Sequence, residues 1–271
     1  MAVARISIAN NKLIFSRAMI SQTQIDHFRK TGIWYTGVPS LDPKIHKECF
    51  KTFLSREDEY KKNFLQTKFN TIFEGYSYLG QEDSANQYAD DQLYTYVISD
   101  FFDHRLHAAE FESLFQQQKE LIPKVAALEK ELLGAVSPEL LDFYNHQTSH
   151  SLSANYYPAA GENSLRLTEH PDGSLLTVFP FGMDEEFQYE LSDGSWHTIA
   201  KTDEIVCFSG YLLECMSSIK ALNHKVVKQG PQHERFSFAY FSIPTPGHCF
   251  RMKGVETTTE DYFKQYLSLF E

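Results

Sequence analysis

Cysteine is scarce in this chain: four in 271 residues, at positions 49, 207, 215 and 249, with no Cys-x-x-Cys or other paired metal spacing. That excludes a disulfide framework or a thiolate metal site as an organising feature, and reduced thiols in a reducing, cytoplasmic setting are expected. Long apolar runs are missing too: no stretch approaches the roughly 18 residues of a membrane span. The opening residues, Met1 to Asn11, hold no uninterrupted apolar core of signal-peptide length, so secretion is not expected. Positive charge is in deficit, with 25 Lys and Arg against 36 Asp and Glu and a net charge of −11. A nucleic-acid partner would call for a basic face, so none is expected and small substrates are the default. No internal repeat, low-complexity linker or obvious protein-partner motif divides the chain.

What is abundant is core material. At 42% hydrophobic and 14% aromatic content, 271 residues can bury a substantial interior as one domain, 1–271. Its organisation reads as three stretches: a mainly helical support region over 1–150, a strand-rich core over 151–246, and a C-terminal helix over 258–271. Ser21-Gln22-Thr23-Gln24 has the capping-box pattern, the helix after it stops at Gly32, and Ile33 to Val38 then reads extended. A second helix is expected near Asp42 to Leu54. Leu121, Val125, Leu128 and Leu132 recur at helical spacing within a long helix placed at His107 to Gly134, with Pro123 inside it. From Ser151 the texture changes to short alternating strands; Asp193-Gly194 between Phe187-Leu191 and Trp196-Ile199 marks a hairpin. Tyr262, Phe263, Tyr266, Leu267 and Phe270 share one face of the last helix. Helices first and strands later suit an α+β, mainly β fold: a double-stranded β-helix (jelly-roll) barrel with an N-terminal helical layer.

Four short signals fall in order in the strand-rich part: Asn155-Tyr156-Tyr157-Pro158, His170-Pro171-Asp172, His224 and Arg235-Phe236-Ser237. Side chains two apart point the same way on a strand, so His170 and Asp172 can grip one face of a metal. A second imidazole from a distant strand, His224, completes the facial triad that suits non-haem Fe(II) and leaves coordination positions open. Gly230-Pro231 between His224 and Arg235 reads as a turn that would place the two on neighbouring antiparallel strands. Arg235 and Ser237 share a strand face and together offer a guanidinium fork and a hydroxyl to a carboxylate.

These residues resemble the isopenicillin N synthase-like branch of the iron(II)- and 2-oxoglutarate-dependent oxygenases. That family's pattern runs N-Y-Y-P, H-x-D-x-x-x-L-T, G-D-x-L-E, H-R-V and R-x-S-x-x-x-F. The chain gives Asn155 to Pro158, His170 to Thr177, Gly210-Tyr211-Leu212-Leu213-Glu214, His224-Lys225-Val226 and Arg235 to Phe241. Gly32-Ile33-Trp34-Tyr35 and Gly75-Tyr76 with Gly80-Gln81-Glu82 resemble its upstream segments. Tyr211 stands where the pattern has Asp, and Lys225 where it has Arg. The resemblance implies His170, Asp172 and His224 as iron ligands, and Arg235 and Ser237, helped by Tyr157 and Asn155, as the site for the distal carboxylate of 2-oxoglutarate. It implies an enzyme that uses Fe(II), 2-oxoglutarate and O2 to oxidise an unactivated C–H bond of a small molecule. Hydroxylation is the first expectation, with desaturation or ring closure open to the same chemistry. A microbial role in secondary or amino-acid metabolism is expected by analogy.

Two other readings stay open at this point: a relative that uses O2 without 2-oxoglutarate, and a catalytically silent barrel that binds a small molecule. Arg166 and Thr168 share strand parity with His170, so both are expected to face the barrel interior. Arg166 there would either pair with Glu169 or Glu190 or hold an acidic group of the substrate. His46-Lys47-Glu48 mimics a metal motif, but residues two apart diverge on a helix. His146 and His150 have i, i+4 spacing across what reads as a connector.

Overall fold

In the computed structural model of the protein, which describes residues 8–9, 12–13, 20–69, 71–78, 91, 93–159, 165–228 and 233–270, Ser21 and Gln24 close a reciprocal capping box. It starts α1 (Gln22–Thr31), which follows a small ladder of β1 (Ile8–Ala9) and β2 (Lys12–Leu13). Gly32 ends α1 at φ 73°, a left-handed value, and a Cβ there would stand 2.4 Å from Ser209 Oγ. The chain then enters β3 (Ile33–Pro39) as expected. Next comes α2 (Lys44–Leu54), which buries His46, Cys49, Phe50 and Phe53 on one face. Burial pushes the His46 imidazole down to about 4, consistent with an uncharged core histidine.

The support region is less helical than its texture suggests. After the short α3 (Asp58–Lys61) and α4 (Gln66–Phe69) it contributes β4 (Gly75–Ser77) and β5 (Tyr94–Ser99), which join the main sheet through pairing of β5 with β6. The alternating aromatic and β-branched run Tyr94-Thr95-Tyr96-Val97-Ile98 is the physical reason. The long helix α5 (Glu112–Val136) buries Leu121, Val125, Leu128 and Leu132, but begins five residues later than its periodicity predicts. His107 is held elsewhere: its ring bonds Glu74 Oε2 at 2.7 Å and the Tyr96 hydroxyl at 3.0 Å, so the chain passes through 3-10 turns first. Burial pushes Glu74 up to about 9 and His107 down to about 4, which makes them a neutral carboxyl–imidazole pair at pH 7. The Ser137 hydroxyl then caps α6 (Pro138–Gln147).

Strands follow in close succession: β6 (Thr148–Tyr157), β7 (Leu165–His170), β8 (Leu176–Phe179), the hairpin β9 (Phe187–Glu190) and β10 (Trp196–Thr198), and β11 (Glu204–Ser209). After a one-and-a-half-turn helix, α7 (Tyr211–Met216), come β12 (His224–Val227), β13 (Arg235–Pro244) and the terminal hairpin β14 (Cys249–Met252) and β15 (Val255–Thr258). The last helix, α8 (Thr259–Leu267), buries Tyr262, Phe263 and Tyr266; the Phe270 side chain lies outside the described residues. No helix among the described residues is long and apolar enough to cross a membrane.

The strands form a double-stranded β-helix of two antiparallel sheets, ordered β3-β11-β8-β13-β6-β5-β4 and β10-β9-β12-β7. Alternation along β13 sorts its residues between two cores. Phe236, Phe238 and Tyr240 pack outward with the helix residues Phe28, Phe50, Phe53 and Leu114, while Arg235, Ser237, Ala239 and Phe241 line the interior. Tyr76 and Tyr96 belong to the helix-side core; Phe179 and Phe241 border the interior cavity.

One sequence expectation fails here. His224 and Arg235 are not on neighbouring strands: β12 pairs with β7 and β9 in the small sheet, β13 with β6 and β8 in the large one. The two strands lie in different sheets, so the two side chains face one cavity from opposite sheets. Gly230 and Pro231 themselves lie outside the described residues, as do Gly80 to Glu82.

Candidate metal and anion site

The small sheet supplies two histidines side by side, because His170 at the end of β7 is the register partner of His224 at the start of β12. Their ring centroids are 4.6 Å apart, and Phe187 stacks on His224 at 4.9 Å. Each Nδ1 faces a backbone carbonyl, Thr168 O at 2.7 Å and Leu222 O at 3.0 Å. A carbonyl only accepts, so both Nδ1 atoms carry a proton, and in the neutral ring each Nε2 is the atom left with a lone pair. Those lone pairs converge on Asp172 Oδ1, at 3.8 Å from His170 and 3.7 Å from His224. Burial depresses the basicity of His170, with His224 adding to it. Asp172 lies just past β7, in the turn leading to β8, so turn geometry and not strand alternation brings it to the histidines. Its other oxygen, Oδ2, accepts from the Thr177 hydroxyl at 2.6 Å, and Ser174 donates to Thr177 in turn. The three residues are the one group among the described residues whose ligand atoms, all within 4.8 Å of one another, could hold a metal ion. Two imidazoles with Nε2 facing inward and one carboxylate, each oriented from behind, are a donor set that suits a divalent transition metal.

The large sheet supplies the other half. Arg235 and Ser237 on β13 are the register partners of Tyr157 and Asn155 on β6, and all four line one cavity of about 240 Å³ with the histidines and Asp172. The Arg235 guanidinium lies 4.9 Å from the Tyr157 ring centroid. Its Nε donates to both oxygens of Asp184, at 3.0 and 2.8 Å, and Glu186 Oε2 stands 3.8 Å away. Burial opposes the charge on Arg235, and Asp184, Tyr157 and Glu186 outweigh it, so its pKa is raised. Nη1 remains buried without a hydrogen-bond partner among the described residues. A buried guanidinium edge without a partner is costly, and a carboxylate ligand would satisfy it. Burial pushes the Tyr157 hydroxyl up to about 12, against the pull of Arg235, so it stays a donor. Asn155 Oδ1 accepts from Thr95 and Ser153, which leaves its NH2 as the donor end.

Arg166 and Thr168 do not line the cavity, contrary to the strand-parity expectation. Register shifts in the β7 and β12 pairing set Leu167 opposite Val226 and His170 opposite His224, so β7 spends one residue more than β12 across that span. Such a bulge reverses the faces of the residues before it. Leu167 therefore points inward, and Arg166 is buried beside Glu186, its Nε 3.2 Å from Oε2, instead of pairing with Glu169 or Glu190. It also donates to His233 O at 2.9 Å. Asp184, Glu186 and Thr177 are the residues that site reasoning from sequence passed over. Thr177 was visible as the last letter of its motif, whereas the two acids precede β9 in no pattern at all. Tyr211, the departure from the Gly-Asp-x-Leu-Glu pattern, donates its backbone N–H to Asp172 O at 2.7 Å.

Residues 148–244 match the family model described as the 2OG-Fe(II) oxygenase superfamily. Among solved structures, the chain is similar to a full-length Neurospora crassa protein in complex with alpha-KG, with 19% identity, 92% of this chain and 90% of that one covered, and a TM-score of 0.67. It is similar to JOX2 in complex with 2OG, Fe and JA, at 18% identity, 90% and 80% coverage and a TM-score of 0.69. A third is the dioxygenase for auxin oxidation 1 of Arabidopsis thaliana with 2-oxoglutarate, at 17% identity, 84% and 88% coverage and a TM-score of 0.64. At such identities the likeness is one of fold. Comparison with curated proteins gives no match.

Proposed function

We propose that the chain, whose residues 148–244 match the model of the 2OG-Fe(II) oxygenase superfamily, is a non-haem dioxygenase that uses Fe(II), 2-oxoglutarate and O2, and that the residues of one cavity do its chemistry. His170, Asp172 and His224 hold the iron. Arg235, with Ser237, Tyr157 and Asn155, holds the distal carboxylate of 2-oxoglutarate. The observation that carries this reading is the convergence, in one cavity, of two Nε2 lone pairs and Asp172 Oδ1 beside an arginine whose Nη1 has no partner among the described residues.

The bound iron supplies dioxygen activation coupled to decarboxylation of the 2-oxoacid. The protein's part is to bind, orient and exclude. The carbonyls of Thr168 and Leu222 fix both imidazole tautomers and aim the rings. Thr177 commits Asp172 Oδ2 and leaves Oδ1 for the metal. Asp184 fixes the Nε edge of Arg235, so that the Nη edge addresses the cosubstrate, and the Tyr157 and Ser237 hydroxyls add donors.

The substrate we infer is an uncharged small molecule, oxidised at an unactivated C–H bond, with hydroxylation as the reaction. Among the described cavity-lining residues, Arg235 is the one cationic side chain besides the two histidines, and the cosubstrate takes it. The end of the cavity near Gly173 is apolar, with Ile72, Phe73, Phe263 and Tyr266. A neutral group enters such a wall without leaving a charge unpaired. The test is a turnover screen of neutral and acidic metabolites that follows succinate release with Fe(II), with and without 2-oxoglutarate. Succinate coupled to oxidation of a neutral compound is expected. Substrate oxidation by O2 alone would overturn the cosubstrate assignment, and a strict preference for acids would overturn the substrate class.

A further inference from the structure

Three successive carbonyl groups around the proposed metal carboxylate each accept a hydrogen bond from outside their own loop. Pro171 O takes the Tyr266 hydroxyl at 2.8 Å, Asp172 O takes the Tyr211 backbone N–H at 2.7 Å, and Gly173 O takes the Tyr262 hydroxyl at 2.8 Å. Two of these donors come from α8, close to the end of the chain and about ninety residues away in sequence. The fit is tight: a Cβ on Gly173 would lie 3.0 Å from the Tyr266 ring, closer than ordinary packing, so a side chain there would press on that ring. Tyr262 is fully buried and Tyr266 nearly so. The Tyr211 ring lies against both, at 6.3 Å from Tyr262 and 6.0 Å from Tyr266. Tyr211, one of the two departures from the pattern, thus lies between α8 and the loop that carries Asp172.

We propose that Tyr262 and Tyr266 are positioning residues for the metal centre: they pin the carbonyls on both sides of Asp172, and the C-terminal helix thereby sets the carboxylate's place and the site's affinity for its metal. The inference rests on the assignment of His170, Asp172 and His224 as ligands. The geometry gives it content beyond packing. Asp172 sits on a turn, outside any ladder, and a turn holds its shape only as well as its carbonyls and N–H groups are satisfied. The loop's two ends are fixed by β7 and β8, but the peptide units next to the ligand are fixed by the phenols. Tyr266 also lines the cavity, so one side chain joins the substrate-side wall to the metal carboxylate.

The experiment is a titration of full-length apoprotein with Mn(II), a redox-stable probe for an imidazole and carboxylate site, in the wild type, Tyr262→Phe, Tyr266→Phe and the double variant. Each substitution removes one oxygen and keeps the ring. Partners that orient metal ligands are worth roughly 10–100-fold in affinity, and we expect the double variant to fall in that range, with each single variant weaker than wild type by several-fold. Tyr144→Phe serves as the control, because that buried phenol bonds Glu129 and His150 away from the site. It should lower the melting temperature and leave Mn(II) affinity unchanged. Single variants decide the matter if the double variant does not fold. Affinities within twofold of wild type in folded variants would overturn the clamp alone. A wild-type protein that takes up no Mn(II) would overturn the ligand assignment, and the clamp with it.

Discussion

Thr177 Oγ1 donates to Asp172 Oδ2 at 2.6 Å, and this single bond divides the carboxylate into a held oxygen and a presented one. Thr177 is fully buried, so replacing it with Val keeps the shape and removes the donor. Oδ2 would then be desolvated with no hydroxyl to satisfy it, a cost of about 1–3 kcal/mol. Thr177→Val is expected to weaken metal affinity by roughly 10-fold, with little change in 2-oxoglutarate affinity at saturating metal. Paired titrations of metal and cosubstrate check this, and an unchanged metal affinity would refute it.

The anion half of the site makes the opposite forecast. Arg235 presents a planar fork with one edge committed to Asp184, and a lysine ammonium cannot reproduce that division. Arg235→Lys is expected to raise the dissociation constant for 2-oxoglutarate by roughly 10–100-fold, the equivalent of losing a charged hydrogen bond of about 1.5–3 kcal/mol. Metal binding should be unaffected. Calorimetric titration of 2-oxoglutarate into Mn(II)-loaded protein under nitrogen reads the difference directly.

How far the sequence carries the reader differs between these two halves. The three candidate ligands could be picked out because His170, Asp172 and His224 come in a chemically distinctive order, although what brings them together is a turn and a strand partnership, not alternation alone. Tyr157, Asn155, Arg235 and Ser237 were candidates from two separate motifs, and the register of β6 against β13 is what sets them side by side. Arg166 was misplaced because a bulge shifts parity by one residue and leaves no compositional mark. The path from His224 to Arg235 was misplaced because a turn signal says that the chain reverses, not which sheet it reverses into. Asp184, Glu186 and the α8 phenols act across long sequence separations, and one sequence carries no trace of such contacts.

The buried charges beside Arg235 give a stability prediction. Arg166 and Glu186 pair at 3.2 Å with both side chains almost fully buried. Removing one partner of such a pair leaves an uncompensated charge and typically costs about 3–5 kcal/mol. Arg235 and His233 also stand near Glu186 and soften that loss, so Arg166→Met is expected at the lower end. Chemical denaturation should show it as a fall in midpoint at unchanged slope. If Arg166→Met instead left stability intact and abolished binding of an acidic substrate, the buried-pair assignment would be wrong.

His150 makes stability depend on pH. Its Nε2 lies 3.0 Å from Glu129 Oε2 and its Nδ1 3.3 Å from Asp100 Oδ2, with Tyr144 donating to the same Glu129 oxygen. Burial opposes the charge on this imidazole, but the two carboxylates prevail and raise its pKa from 6.5 to about 9. A folded-state value above the unfolded one means that folding takes up a proton between them, so the stabilisation is complete below pH 6.5 and is lost as pH rises to about 9. The shift corresponds to on the order of 3 kcal/mol. Glu74, pushed from 4.5 up to about 9 by burial, adds a decline of the same sign that begins at lower pH. The melting temperature should therefore fall from pH 6.5 to 9, and His150→Gln should isolate the histidine's share. The variant is expected to be less stable than wild type at pH 6, with the gap closing towards pH 9, whereas a gap constant across that range would show that the imidazole is not charged in the folded protein.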